Sequence, residues 1–182
     1  MNPHSKHAPA ERASWDELHQ QMVVLQNNKA LQGLVLDSPE QIILLNLQRQ
    51  IVYVNKAFLK MTKLQDPAEI YSCRLGETIR CAHSAEGEGG CGTGEDCRNC
   101  GAVNAMLNTL QDQIFDMEWC SIPIEGQEKL LNFIAFTMPV RIAPFNYILM
   151  ALVEDHNCKT STSQLAKHAF IIQRMAADIE RG

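Results

Sequence analysis

Four of the seven cysteines, Cys81, Cys91, Cys97 and Cys100, fall in "CAHSAEGEGGCGTGEDCRNCGAV" (residues 81–103), with six of the ten glycines. Four thiolates suit either a tetrahedral zinc ion or an iron–sulfur cluster. The spacing is C-x9-C-x5-C-x2-C. Structural zinc usually takes its ligands from two tight pairs, and only Cys97 and Cys100 form such a pair. The C-x5-C-x2-C part is similar to a cluster-binding loop, one residue longer than the plant-type spacing. A cluster also needs backbone that wraps closely around sulfide. Gly87, Gly89, Gly90, Gly92 and Gly94 supply it, and the N–H groups of Gly90, Gly92 and Gly94 are candidates to hydrogen-bond the sulfurs. The spacing favours an iron–sulfur cluster, of the 4Fe–4S type, with zinc as the alternative. His83, two residues past Cys81, is a candidate further ligand, although a surface histidine is the plainer reading. Reversible disulfides, with Cys97 and Cys100 as a C-x-x-C couple, and free thiols in a plain loop are the remaining readings.

Local electrostatics give this loop a character. Thr93, with Asp96 three residues on, predicts a helix N-terminus that places Cys97 and Cys100 in its first turns, on one face. The positive end of the helix dipole favours thiolate there, and Arg98 adds to it. Glu86, Glu88, Glu95 and Asp96 act the other way, so the expectation is a low-potential or oxidatively labile centre. Gly87, Gly89 and Gly92 also satisfy G-x-G-x-x-G. A dinucleotide site would need a preceding strand and a βαβ unit, and a short helix precedes the loop instead. The nucleotide reading is set aside.

Elsewhere little points to chemistry. Cys73 and Cys120 have apolar neighbours, where cysteine packs as a small hydrophobe; Cys158 lies in a polar linker. His4 and His7 belong to a polar N-terminal stretch, and His168 reads as an ordinary helix histidine. Local sequence offers no serine–histidine–acid set and no paired carboxylates, so an enzyme is not expected. The 182 residues carry a net charge of −5 with 46% apolar residues, which fits one globular domain without a basic footprint for nucleic acid. No apolar run approaches the roughly 18 residues of a membrane span, and "MNPHSKHAPAERAS" lacks the apolar core of a signal peptide. The expectation is a cytoplasmic protein, where clustered cysteines point to metal or redox chemistry.

The elements that must position the cysteines can be read in outline. Residues 1–13 read as a disordered tail. "SWDE" is a capping box that starts a helix at Ser14, over residues 14–32, prolonged through Gln26–Leu31 and ended by Gly33. "QIILLN" and "IVYVN" predict a hairpin, and "NKAFLKMTKL" and "DPAEIYSCRL" predict short helices, the second with Asp66 as cap and Pro67 at its first position. After the cysteine loop, "CRNCGAVNAMLNTLQD" predicts a helix. "IFDMEWCSI" then alternates, with Phe115, Met117 and Trp119 opposite Asp116, Glu118 and Cys120. "KLLNFIAFTMPV" and "FNYILMALVED" are apolar on both faces, so both sides of the sheet should be covered. Trp15 and Trp119 read as core or interface anchors. A last helix spans about Thr162 to Glu180. The class is α+β with one five-stranded sheet.

"GLVLDSPEQIILLNLQRQIVYVNKAFLKMT" resembles the opening of a PAS domain: strand, polar turn, a strand ending in "VN", then a helix beginning "KAF". Asn55 and Lys56 form the turn into that helix. "LGETIRCAH" followed by "GGCGTGEDCRNCGAV" resembles a cysteine-containing subset of bacterial PAS sensors that usually precede a histidine kinase or phosphatase module. The resemblance covers residues 33–155, with the cysteine loop at 81–100. It implies an antiparallel sheet of order 2-1-5-4-3 with helices on one face, flanked by N- and C-terminal helices. Residues 156–182 would then be a linker and a signalling or dimerisation helix. It also implies a sensory role, which the cysteines would direct to redox state or a gas such as oxygen or nitric oxide. A homodimer or a histidine kinase would receive the signal through the apolar stripes of the terminal helices, with no nucleic acid or membrane partner.

Overall fold

A computed structural model describes residues 5–128, 130–155 and 160–182, so His4 and Cys158 lie outside the described residues. Five antiparallel strands, β1 (Gln41–Leu45), β2 (Ile51–Val54), β3 (Asp116–Pro123), β4 (Leu130–Ile142) and β5 (Phe145–Glu154), form one sheet in the order β2-β1-β5-β4-β3. This is the α+β sheet the resemblance implies. The β1–β2 turn closes because the Asn46 side-chain oxygen accepts from the N–H groups of Gln48 and Gln50, with Arg49 left-handed at φ 65°.

Both faces of the sheet are covered, which explains the continuous apolar runs of β4 and β5. On one face lie α2 (Lys56–Thr62), α3 (Leu75–Thr78) and α4 (Gly101–Asp112), whose Phe58, Leu75, Val103 and Met106 pack with Ile43, Phe133 and Ile148. The other face carries α1 (Trp15–Gln26), a wide helical turn at Leu31–Val35 and α5 (Thr162–Arg181), through Leu18, Leu25, Leu31, Ile172 and Ile179. Ser14 caps α1 with Glu17 in a reciprocal box. Asn55 caps α2 and also ties the preceding loop together: its Oδ1 accepts from Phe58 and Ile42, and its amide donates to the carbonyls of Val35, Ser38 and Glu40.

Several expectations are revised. The first helix stops at Gln26 rather than running to Gly33, because Asn27 and Asn28 take local bonds that compete with the helix. The amide of buried Asn28 donates to the Ile179 carbonyl and so joins α1 to the end of α5. In β3, Cys120 and Ile122 face the core beneath α4, while Trp119 is 52% exposed. Alternation alone cannot choose a face when both are packed, and α4 approaches this strand too closely for a large side chain. Trp15 is likewise exposed.

Ile172, Ala176 and Ile179 of α5 are buried against the chain's own sheet, so this stripe is not free to pair with a second subunit. Residues 5–13, read from sequence as a disordered tail, lie along the cysteine loop with Ala8 fully buried. That contact joins segments more than eighty residues apart, beyond the reach of local pattern. Among the described residues, no helix is long and apolar enough to cross a membrane.

Candidate metal centre

The four cysteines arrive from four different local supports. Cys81 follows α3, donates its N–H to the Gly76 carbonyl at 2.7 Å, and forms an isolated antiparallel bridge with Ile124 just past β3. Cys91 is buried against the start of α3, where the Gly76 N–H points at its Sγ at 3.3 Å. A β-carbon on Gly76 would stand 2.6 Å from that sulfur, so this approach requires glycine. Cys97 is buried in a 3-10 turn spanning Asp96–Asn99, and Cys100 is the N-cap residue of α4. A glycine at 101 is needed as well, since a β-carbon there would lie 2.0 Å from the Trp119 carbonyl oxygen.

These side chains line one cavity of about 200 Å³, together with His83, Asp96, Ser121 and Ile122. Cys73 and Cys120 are not among its lining residues. All six described cysteines are free thiols. Burial pushes the Cys91 thiol up to about 12, opposed by the Gly76 N–H, and it raises Cys81 and Cys100 as well. The neighbouring cysteines reinforce each rise, because thiolates brought together repel. N–H groups of His83, toward Cys81, and of Val103 and Ala102, toward Cys100, work against it.

No three of the four sulfurs lie within 4.8 Å of one another among the described residues. Among the described residues, His83, Glu86 and Asp96 form the one group of three or more ligating atoms lying within 4.8 Å of one another. That group sits beside the cysteine cavity, with His83 Nδ1 2.5 Å from Glu86 Oε1 and 3.4 Å from Asp96 Oδ2. His83 thus turns one ring nitrogen to carboxylates. His7 instead meets Asn104 on α4 at 3.0 Å.

Two details of the loop differ from expectation. Cys97 and Cys100 do not share the first turns of one helix: a 3-10 turn precedes α4, and the Thr93 hydroxyl donates to the Gly90 carbonyl instead of capping. The N–H groups directed at sulfur are those of Gly76, His83, Ala102 and Val103, whereas sequence points to Gly90, Gly92 and Gly94. The loop glycines shape the backbone. Gly90 and Gly92 take φ of 83° and 93°, open to glycine at low cost.

Sequence reasoning overlooked two arginines, Arg49 and Arg74, both almost wholly buried beside the loop. Arg74 donates to six carbonyls, those of Gln48, Gly89, Cys91, Pro9, Ala10 and Glu11. Burial brings its pKa down to about 10, with the Arg49 charge adding to the effect. Burial lowers Arg49 too, while negative charge on Cys91 and Cys97 would favour its cationic form, as would Glu11. Nothing local marks these arginines, one in a tight turn and one before a short helix. Cationic charge that acts on Cys91 and Cys97 is nonetheless the arrangement an anionic centre needs.

No family model matches the chain, and no curated protein matches it. Solved structures do. The PAS domain of nitrogen regulation protein NR(II) from Vibrio parahaemolyticus is 12% identical with a TM-score of 0.50, over 67% of this chain and 94% of that one. The Rhodobacter sphaeroides LOV protein is 15% identical with a TM-score of 0.54, over 90% of this chain and 82% of that one. At such identities the likeness establishes the fold, which is that of a PAS domain.

Proposed function

We propose that the chain is a cytoplasmic PAS-type sensor that holds an iron–sulfur cluster on Cys81, Cys91, Cys97 and Cys100 and responds to redox state, oxygen or nitric oxide. The observation that carries this reading is four sulfurs around one 200 Å³ cavity, no three of them within 4.8 Å of one another among the described residues. A tetrahedral zinc ion with sulfurs at about 2.3 Å sets them about 3.8 Å apart. A multi-iron cluster takes one sulfur at each iron and so accepts a wider ring. Arg49 and Arg74 would offset the negative charge of the thiolates. The N–H groups of Gly76, Ala102 and Val103 would hydrogen-bond the sulfurs and hold their orientation.

When bound on these cysteines, a cluster would supply redox-active iron open to oxidation by oxygen and to nitric oxide. The chain's own part is to bind the group, keep most water out, and pass on any rearrangement of residues 82–96. The role is sensing and relay rather than catalysis. The thiol–disulfide reading has less support, because burial raises the Cys100 thiol of the Cys97–Cys100 couple, which leaves less of the nucleophilic thiolate. Output would go to a second copy or to a histidine kinase, through residues the terminal helices leave exposed, such as Trp15 and Phe170.

Anaerobic purification followed by iron, sulfide and zinc analysis with a visible spectrum tests the reading. Iron and acid-labile sulfide with visible absorption are expected, lost in Cys91→Ser and retained in Cys73→Ser. Stoichiometric zinc without iron or sulfide, after reconstitution has been attempted, would refute it in favour of a zinc-stabilised interaction module. Thiols that vanish reversibly on mild oxidation of a metal-free sample would favour the disulfide switch.

A further inference from the structure

The N-terminal segment from Ser5 to Arg12 runs as a strap over the cysteine loop. The N–H of Lys6 donates to the Thr93 carbonyl and that of Ala8 to the Gly92 carbonyl, each at 3.0 Å. The left-handed backbone at Gly92 brings the loop against Ala8 and the Arg49 guanidinium. Arg98, one residue past Cys97, donates to the Lys6 carbonyl at 2.7 Å.

Arg74 stitches the two segments together. Its guanidinium donates to Gly89 at 2.8 Å and Cys91 at 3.3 Å on the loop, and to Ala10 at 3.2 Å and Glu11 at 2.8 Å on the strap. Arg49 holds the Pro9 carbonyl at 2.6 Å. Glu77 makes a second stitch: it accepts the Cys91 N–H at 3.2 Å and pairs with Arg12. Arg12 lies two residues before Ser14, the cap of α1, and α1 leads through Asn28 to the Ile179 carbonyl of α5.

A buried guanidinium must keep its acceptors, since stranding the charge costs several kcal/mol. If the loop relaxes, Arg74 loses the carbonyls of Gly89 and Cys91, and the strap loses those of Gly92 and Thr93. Each segment is then held less firmly without the other, the strap keeping its bonds to Arg49 and Arg74 but losing those to the loop. Resting on the metal-centre reading, we infer that Arg49 and Arg74 act as positioning residues that make occupancy of the cysteine cavity and docking of the N-terminal strap one event. Occupancy is thereby read at the start of α1, on the opposite face of the sheet. The coupling is reciprocal: whatever factor metal adds to strap docking, docking adds to metal retention.

Hydrogen exchange on the full chain, metal-loaded and after anaerobic chelation, tests this with metal content measured on the same samples. Stripping should speed exchange at the Lys6 and Ala8 amides at least tenfold and loosen the first turn of α1. A Lys6→Pro, Ala8→Pro double variant removes both strap donors and leaves every cysteine and arginine in place. It should release metal to a chelator at least fivefold faster, at the low end of measured couplings of about 5- to 150-fold. Arg74→Lys, which keeps the charge but loses the fork, should fall between the two. Metal lost with the strap amides equally protected, or a double variant that retains metal as well as the unaltered chain, overturns the inference and leaves the metal centre standing. A chain that takes up no metal overturns both. The exchange comparison needs no variant, so a misfolded variant does not shield the inference.

Discussion

Replacing Gly101 by alanine tests how tightly the first turn of α4 is seated on β3 and whether Cys100 depends on that seat. The added β-carbon would start 2.0 Å from the Trp119 carbonyl oxygen, and real contacts stay beyond 3.0 Å, so something must move by at least 1.0 Å. The obstacle is strand backbone, bonded in register to Ile134 of β4, so the helix end must yield. Overpacking against fixed strand backbone falls in the upper part of the usual range, about 2–3 kcal/mol, and the better helix propensity of alanine returns about 1 kcal/mol. The net loss is about 1–2 kcal/mol, which lowers Tm by about 2–8 °C for a domain of this size. Cys100 is the adjacent residue and moves with the helix end, whereas metal–ligand distances hold to about 0.2 Å. Metal retention should therefore fall at least tenfold. Gly33→Ala is the control: it makes the same chemical change in a helical turn, where a β-carbon meets nothing within 4 Å. It should be neutral or stabilising by up to about 1 kcal/mol. Thermal unfolding of metal-free samples, with chelator competition on loaded ones, measures both effects. A Gly101→Ala chain with undiminished Tm and metal retention refutes the argument, as does a Gly33→Ala chain that loses as much.

Arg74→Met should destabilise the metal-free chain by about 3–5 kcal/mol, because six carbonyls lose their donor at once; an unchanged urea midpoint would contradict this. Burial holds the Cys91 and Cys120 thiols near 12, against 9.0 for an unperturbed thiol. The unfolded chain therefore gives up protons that the folded chain keeps between pH 9 and 12, so stability is full below pH 9 and declines as pH rises toward 12. The Tm of metal-free protein should fall from pH 8 to pH 10.5, and Cys120→Ala should flatten that slope; a flat profile in the unaltered chain would count against buried thiols. Thr137→Val removes the hydroxyl that meets Thr109 at 2.8 Å and the Ala105 carbonyl at 3.0 Å, and should cost about 1–3 kcal/mol by denaturant titration. Metal content should be unaffected by it, since these residues lie outside the cysteine cavity.

By itself the sequence determined what local chemistry can specify. Ser14 with Glu17, Asn55, and Asp66 with Pro67 announce helix starts, because a cap is decided within three or four residues. The doubly apolar runs at β4 and β5 announce a sheet covered on both faces, and the clustered cysteines mark a candidate site. Only the tertiary structure decided what depends on distant segments meeting. The alternation of β3 was visible, yet the choice of Cys120 over Trp119 for the core followed from α4 lying against that strand. The carbonyls held by Arg74 come from residues up to 65 positions away, so no window along the chain could mark it. The strap at residues 5–12 looked like a polar tail because its order rests on the Gly92 and Thr93 carbonyls, on Arg49 and on Arg74. A backbone segment with few apolar residues is ordered only when partners elsewhere in the fold satisfy its polar groups, and those partners come together only once the sheet has formed.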